Sequence, residues 1–423
     1  MQQPYIPRLV PALLAVAFSG TAAAAGFQLL EQNASGLGNS YAGSAALAEN
    51  ASTIFYNPAG MTQLPGRNVS AGLNAIRPSF TFTDSGSTNP TALGGGAATG
   101  GNGGDAAGEW SPLPNGYLSW QLDDRWFVGV GFGAPFGLKT EYEPGWVGRF
   151  HSIKFDIKTY NINPSVAYKV NDMLSVGAGV SWQRIEAEYI KRAVVPVPNM
   201  GIFTPLATNE LESDAWGWNV GATLQPRADT RFGVSYRSAI MHHAEGTQTL
   251  RDGLIVNNTA KADVKLPDTL VLSAWHQLSD RWELLADVSW TGWSSIPKLT
   301  ITNGSGQSDS LTLKFRDTWR VALGANYKVS DAWKLKAGLA WDQSPVPDDA
   351  HRTASLPDND RTWISFGVQY RPAKDSTLDV GYAHLIVKDT KINNTDSTLT
   401  RGLLAGNYDS HAHIFGVQYS LAF

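Results

Sequence analysis

The chain has 423 residues, 43% of them hydrophobic and only 17% charged, with 42 glycines, 15 tryptophans and a formal net charge of −4. A balance this near neutral argues against a nucleic-acid partner, and the lack of cysteine excludes disulfides and a thiolate nucleophile. Low charge with abundant glycine and aromatic residues suits a lipid-facing barrel better than a soluble enzyme.

Residues 1–24 read as a secretory signal peptide, with Arg8, an apolar stretch from Leu9 to Phe18, and Ala22-Ala23-Ala24 before the cut. Its Pro4, Pro7 and Pro11 and its thin basic region are atypical. Elsewhere no apolar run reaches the roughly 18 residues a membrane helix needs, but an exported chain can still cross a membrane as a closed barrel. Residues 25–66 are rich in small residues and precede the first sustained alternation, which predicts a compact insert and not a strand. Within it, Pro58 has no backbone donor and biases Asn57 away from the helical region, so Asn57-Pro58-Ala59 is expected to end a helical stretch.

From there on, apolar residues occupy every second position. Trp216, Trp218, Val220, Ala222 and Leu224 alternate with Gly217, Asn219, Gly221, Thr223 and Gln225; Trp319, Val321, Leu323 and Ala325 alternate with Arg320, Ala322, Gly324 and Asn326. A period of two puts one set on lipid and the other in a lumen. Fourteen such segments lie near 68–82, 114–122, 125–133, 153–170, 173–190, 211–225, 230–243, 266–279, 281–291, 313–329, 332–342, 361–372, 376–388 and 410–423. Their connections alternate in length. Asp123-Asp124, Asn171-Asp172, Ser279-Asp280 and Ser330-Asp331 mark short turns, each followed by Trp or a large aliphatic residue, as an interfacial girdle requires. The long connections are 83–113, 134–152, 191–210, 244–265, 292–312, 343–360 and 389–409. Short turns on one side and long loops on the other predict an all-β fold: a 14-stranded antiparallel transmembrane β-barrel with a small, partly helical N-terminal hatch plugging the lumen. Residues 67–423 form its wall, in the bacterial outer membrane, with both termini periplasmic.

Chemistry-bearing motifs are sparse. His242-His243 would point to opposite faces of a strand, and His411 and His413 lack further obvious metal ligands, so neither a metal nor a cofactor is expected. No Gly-x-Ser-x-Gly elbow or Walker-type loop occurs, and the chain is expected not to be an enzyme. Connection 191–210 carries Val194, Val195, Val197, Met200, Ile202, Phe203 and Leu206, more apolar surface than a water-facing loop needs; such a patch marks a binding surface. The glycine-rich connection 83–113 is expected to be flexible.

The run Gly26-Phe27-Gln28-Leu29, the Ser35-Gly36-Leu37-Gly38 run and the Asn57-Pro58-Ala59 triplet together resemble the hatch of the outer-membrane long-chain fatty-acid transporter family (FadL-like proteins). Ala134-Pro135-Phe136-Gly137-Leu138, Asn163-Pro164-Ser165-Val166-Ala167-Tyr168 and Lys314-Phe315-Arg316-Asp317-Thr318-Trp319-Arg320 extend the likeness over most of the chain, as does the terminal aromatic Phe423, which is similar to a barrel-assembly signal. The resemblance implies that Arg316 meets a ligand carboxylate in an interior pocket, with Arg184 a second basic partner on the fifth strand and Phe27 a plug. It also implies a sideways opening at a kink in the third strand, which Gly129, Gly131, Gly133 and Pro135 would permit; close packing of a hatch on those glycines explains them equally well. The implied ligand is a long-chain fatty acid or similar hydrophobic molecule, carried passively by a monomer embedded among outer-membrane lipid and lipopolysaccharide. Uptake of uncharged aromatic hydrocarbons on the same fold, a general diffusion porin, and a surface lipase or adhesin are the alternatives.

Overall fold

A computed structural model describes residues 26–423; the expected signal peptide lies outside the described residues. Twenty strand segments join in one antiparallel sheet. Six staves are interrupted once, so the segments make fourteen staves, and each falls on one of the segments read from the alternation. They are β1 (Arg67–Asp84), β2 (Ser111–Gln121), β3 (Trp126–Gly133, then Gly137–Glu141), β4 (Lys154–Lys169), β5 (Leu174–Arg192), β6 (Leu206–Arg227) and β7 (Thr230–Arg237, then Ile240–Arg251). The second half is β8 (Val256–Leu266, then Thr269–Gln277), β9 (Trp282–Thr291, then Lys298–Asn303), β10 (Ser308–Thr312, then Thr318–Lys328), β11 (Trp333–Asp342), β12 (Arg361–Ala373), β13 (Ser376–Val387, then Thr390–Asn394) and β14 (Leu404–Ala422). Each stave pairs with the next, and β14 pairs with β1 from Asn68↔Ala422 to Asp84↔Gly406, which closes the cylinder and leaves no sheet edge at the seam.

The alternation does what its period requires. Along β11, Leu335, Leu339 and Trp341 are exposed while Lys336, Ala340 and Asp342 are buried, so the apolar set faces lipid. At the short-turn end the expected girdle is built from cross-strand pairs. Trp126 packs on Tyr168, Trp282 on Tyr327 and Trp333 on Tyr370, with ring centroids 4.7, 4.7 and 4.5 Å apart, and each pair is directly opposite in register.

Two expected loops are corrected. Connections 244–265 and 292–312 are mostly strand: β7 pairs with β8 from Ile240↔Leu266 to Leu250↔Val256, and β9 with β10 from Lys298↔Thr312 to Thr302↔Ser308. The period of two continues there, but outward positions such as Glu245, Lys261 and Asp263 are charged because the wall has risen out of lipid.

Candidate functional site

Residues 26–64 lie against inward-facing side chains from both halves of the circumference. Asn39 Nδ2 donates to Asn326 Oδ1 (2.9 Å), Ser40 bonds Ser365 (2.7 Å), Gly43 N donates to Asp287 Oδ1 (2.7 Å) and Ala45 N to Ser273 (2.9 Å). Ion pairs add to these. Glu49 meets Lys334 (2.8 Å) and Lys336 (2.9 Å), and Lys336, 2% exposed, also meets Asp379 (3.0 Å). A buried ammonium would be costly alone; two carboxylates and the Ser35 carbonyl satisfy it.

The Asn57-Pro58-Ala59 triplet ends the short helix Thr53–Tyr56, as its chemistry predicts, and Asn57 is extended. A 3-10 helix, Pro58–Gln63, starts at once, because a proline at the first helical position loses no bond that the helix needs. Asn57 accepts from Ala59 N (3.1 Å) and donates to Ala45 O (2.7 Å) and Ala222 O (3.0 Å), so one amide joins segment to wall. The wall makes room with glycine: a Cβ on Gly221 would stand 2.1 Å from Asn57 Oδ1, and one on Gly177 2.5 Å from Ala59 N. These two glycines are partners in the β5–β6 register. Gly129 likewise admits Ile54 and Gly133 admits Gln32, while Gly131 makes room for the Tyr117 ring opposite it on β2, so close packing accounts for all three.

The third strand breaks at residues 134–136, directly after Gly133. Pairing of β2 with β3 stops at Gly116↔Phe132, although β2 continues on β1 to Ser111. Beyond the break, residues 137–141 pair with β4 alone. The break itself meets the start of the chain: Leu29 N donates to Pro135 O (2.8 Å), Gly137 N to Phe27 O (2.9 Å), and Gln32 bonds both backbone groups of Ala134, while farther on Glu141 N donates to Ala106 O (2.7 Å). The wall therefore has a gap between β2 and β3, and residues 27–32 supply the polar partners that the broken strand has lost.

Those bonds set Phe27 in an apolar cluster. Its ring lies 4.8 Å from Trp293 and 6.0 Å from Phe136, with Phe315, Tyr189 and Leu311 in the same cluster. At the long-loop end the cluster is capped by charge. Lys191, the next inward residue of β5 after Tyr189, meets Asp309 (2.6 Å), as does Arg401 (2.5 Å), which also reaches Asp396 (3.5 Å). Burial, with Arg401 nearby, brings the Lys191 ammonium down to about 8.

Several expected site residues sit elsewhere. Arg184 is on the outer wall, paired with Glu186 (3.1 Å), Asp214 (3.3 Å) and Glu212, because strand parity sends Gln183 and Ile185 inward. Arg316 has a side chain 44% exposed, donates to Ser344 O (3.2 Å) and forms a loose ion pair with Asp360 (3.8 Å). Its neighbour Phe315 is the one in the cluster. Met200 and Ile202 are exposed on a hairpin of Val195–Val197 and Gly201–Phe203, and Phe203 is half-buried beside Gly253; none of the three joins the cluster. Lys191 and Arg401 were not anticipated. Counting by twos from Ile185 would have found Lys191; Arg401 lies in a loop, where no period helps.

Among the described residues no group of three or more His, Asp or Glu is placed to hold a metal ion. The family model described as "Outer membrane protein transport protein (OMPP1/FadL/TodX)" matches residues 15–423. The chain is 31% identical to outer membrane protein P1 of Haemophilus influenzae, over 96% of each chain, and 30% identical to a long-chain fatty acid transport protein of Escherichia coli, over 97% of each. A FadL homologue of Pseudomonas aeruginosa, known from its crystal structure, superposes with a TM-score of 0.87 at 26% identity, over 94% of this chain and 100% of that one. The barrel is thus a bacterial outer-membrane protein, and the chain belongs to the OMPP1/FadL/TodX family of outer-membrane transporters of hydrophobic substrates.

Proposed function

We propose that the chain carries long-chain fatty acids or similar hydrophobic molecules passively into the cell as a monomer, with residues 25–66 as a hatch and the gap between β2 and β3 as a sideways exit. One observation carries the reading: the same few residues that complete the broken wall, 27–32, also fill the apolar cluster with Phe27. Withdrawing them empties a greasy site and opens the wall in one movement. The exposed Met200 and Ile202 are a landing surface for the incoming ligand.

The energetics favour this route. A ligand with about fifteen methylenes gains roughly 12 kcal/mol gross on full burial, at about 0.8 kcal/mol for each. A carboxylate paired at a partly wet site adds about 1 kcal/mol. The tail sets affinity and the charge sets orientation. Release into water forfeits the tail's gain, whereas exit into bilayer hydrocarbon keeps it. Lys191, next inward after Tyr189, and Arg401, on the Ser310 carbonyl beside Leu311, border the cluster, so the ligand carboxylate takes the place that Asp309 now holds. Arg316, outside the cluster, has the smaller role.

Mass spectrometry of lipids copurified with the wild type and with Lys191→Met tests the reading. Fatty acid on the wild type, reduced on the variant, supports it. An uncharged aromatic hydrocarbon retained equally by both replaces the fatty acid with the rival ligand class. Sugar-driven liposome swelling by the intact protein would point instead to a diffusion porin.

A further inference from the structure

The outer surface just above the lipid carries a row of basic side chains that transport does not use. His384 on β13 is directly opposite His413 on β14, which is directly opposite Arg77 on β1. The His384 and His413 rings are 4.7 Å apart, and His411, one outward position higher on β14, lies 5.5 Å from His413. All three share the outward face of Phe415, Val417 and Tyr419. Arg77 is exposed and gives only its Nε to Gly108 O (2.9 Å), and His384 Nδ1 is buried without a hydrogen-bond partner. Burial and the neighbouring His384, His411 and Arg77 hold the His413 imidazole below its usual value, which an anion set among them would counter.

What lies around the row defines its ligand. One position towards the membrane is a row of aromatic rings: Tyr382, Phe415 and Trp110, with centroids 4.7 and 5.6 Å apart. Aromatic rings of this kind stand at headgroup level. Tyr382 also shares a hydrogen bond with His413 Nδ1 (2.8 Å). The neighbouring β12 offers the uncharged Ile364 opposite His384. Carboxylates flank the row: Asp105 bonds Ser79 (3.0 Å), Asp409 follows His411 on β14, and the exposed Glu109 follows Gly108, whose carbonyl takes the Arg77 Nε. The far side of the barrel is more acidic: Glu186 lies opposite Glu212 and Glu188 opposite Glu210 in register, with Arg184 and Lys154 ion-paired among them. An anion anchored in the outer leaflet is repelled there and met by cations here.

We propose that His384, His413 and Arg77, with His411 above them, bind the phosphate of an outer-leaflet phosphoglycolipid of the lipid A type, more tightly when the imidazoles are protonated. The acyl chains run down past Tyr382, Phe415 and Trp110, and the phosphate lies across the three strands. This is independent of what the lumen carries and rests only on the outer-membrane location.

The test uses the full chain in phosphatidylcholine nanodiscs, titrated with bisphosphorylated lipid A and with its dephosphorylated form at about pH 5 and about pH 8. The phosphorylated form should bind several-fold tighter at the acid pH. The double variant His384→Gln/His413→Gln should lose that pH dependence, and Arg77→Gln should weaken binding at both, by roughly five-fold. Unchanged heat-modified gel mobility shows that the variants fold. Equal binding of the dephosphorylated lipid overturns the proposal, as does a pH response that survives the double variant. Binding of Zn2+ alone, with no response to lipid phosphate, also overturns it. Inorganic phosphate competing as well as lipid A would assign the site to the free ion and not the lipid.

Discussion

The two ends of the lumen hold the N-terminal segment by different physics. Towards the short turns, contact is polar and fitted: Asn39, Gly43, Glu49 and Asn57 each meet named partners on the wall, and glycines clear the space for them. Towards the long loops, the Phe27 side chain makes apolar contact, against Trp293 and Phe136, while the backbone on either side of it bonds Pro135, Gly137 and Asp358. Hydrogen bonds and ion pairs are directional, and losing one partner strands the other. Apolar contact has no such memory, and a ligand tail can replace Phe27 at little cost. On the proposed transport reading, the lower half is the fixed part of the segment and the Phe27 side chain the exchangeable part.

The comparison can be broken in graded ways. Deleting residues 26–60 removes both halves; the expected outcome is a barrel that passes small polar solutes, read as a large rise in planar-bilayer conductance, and unchanged conductance would show that the segment seals nothing. Lys336→Met strips Asp379 of its cation, leaving it only the Gln369 amide, and removes one of Glu49's two lysines; it should cost about 3–5 kcal/mol. The check is a fall in thermal midpoint, with hydrophobe binding retained until the protein melts. Gly221→Val should unseat Asn57, whose Oδ1 has no room for a Cβ, and raise protease sensitivity near residue 57 while leaving the strands intact. Phe27→Ala removes the exchangeable part and should cost no more than about 3–5 kcal/mol. Added ligand should recover part of that in the same melt, a recovery that Lys336→Met must not show.

A smaller effect comes from pH. Because Lys191 is brought down to about 8, its charge is full near neutrality and is lost as pH rises through that value. Capture of a carboxylate ligand should therefore weaken between about pH 7 and pH 9, by less than about tenfold for a single partly shielded contact. A flat profile would move the anchor to Arg401 alone.

The fourteen staves were legible because lipid writes one face of each strand in apolar residues. Where β7 to β10 rise above the lipid, outward residues turn charged or polar, as at Glu245 and Lys261, and the same period of two no longer stands out. Parity explains the site. Arg184 and Lys191 are seven positions apart on β5, so they face opposite ways, and only Lys191 is inside. For Arg316 counting fails, since residues 313–317 are irregular and reset the register before β10 resumes at Thr318. Contacts such as Gly26 N to Asp358 (2.9 Å) join residues far apart in the chain and leave no local trace.

The β14–β1 seam has a consequence for how such a molecule comes to exist. Its partners, Asn68 and Ala422 among them, lie at opposite ends of the wall's sequence, so this joint is made only once the staves between them are in place. The N-terminal segment precedes β1 and already touches β13 and β14, through Leu37 against Gly381 and Ala34 N on Gln418 (3.1 Å). Those contacts lie inside the closed ring, so the segment is enclosed by a joint that its own chain completes. A ring completed around empty space would leave those bonds to be made by threading the segment in through an open end.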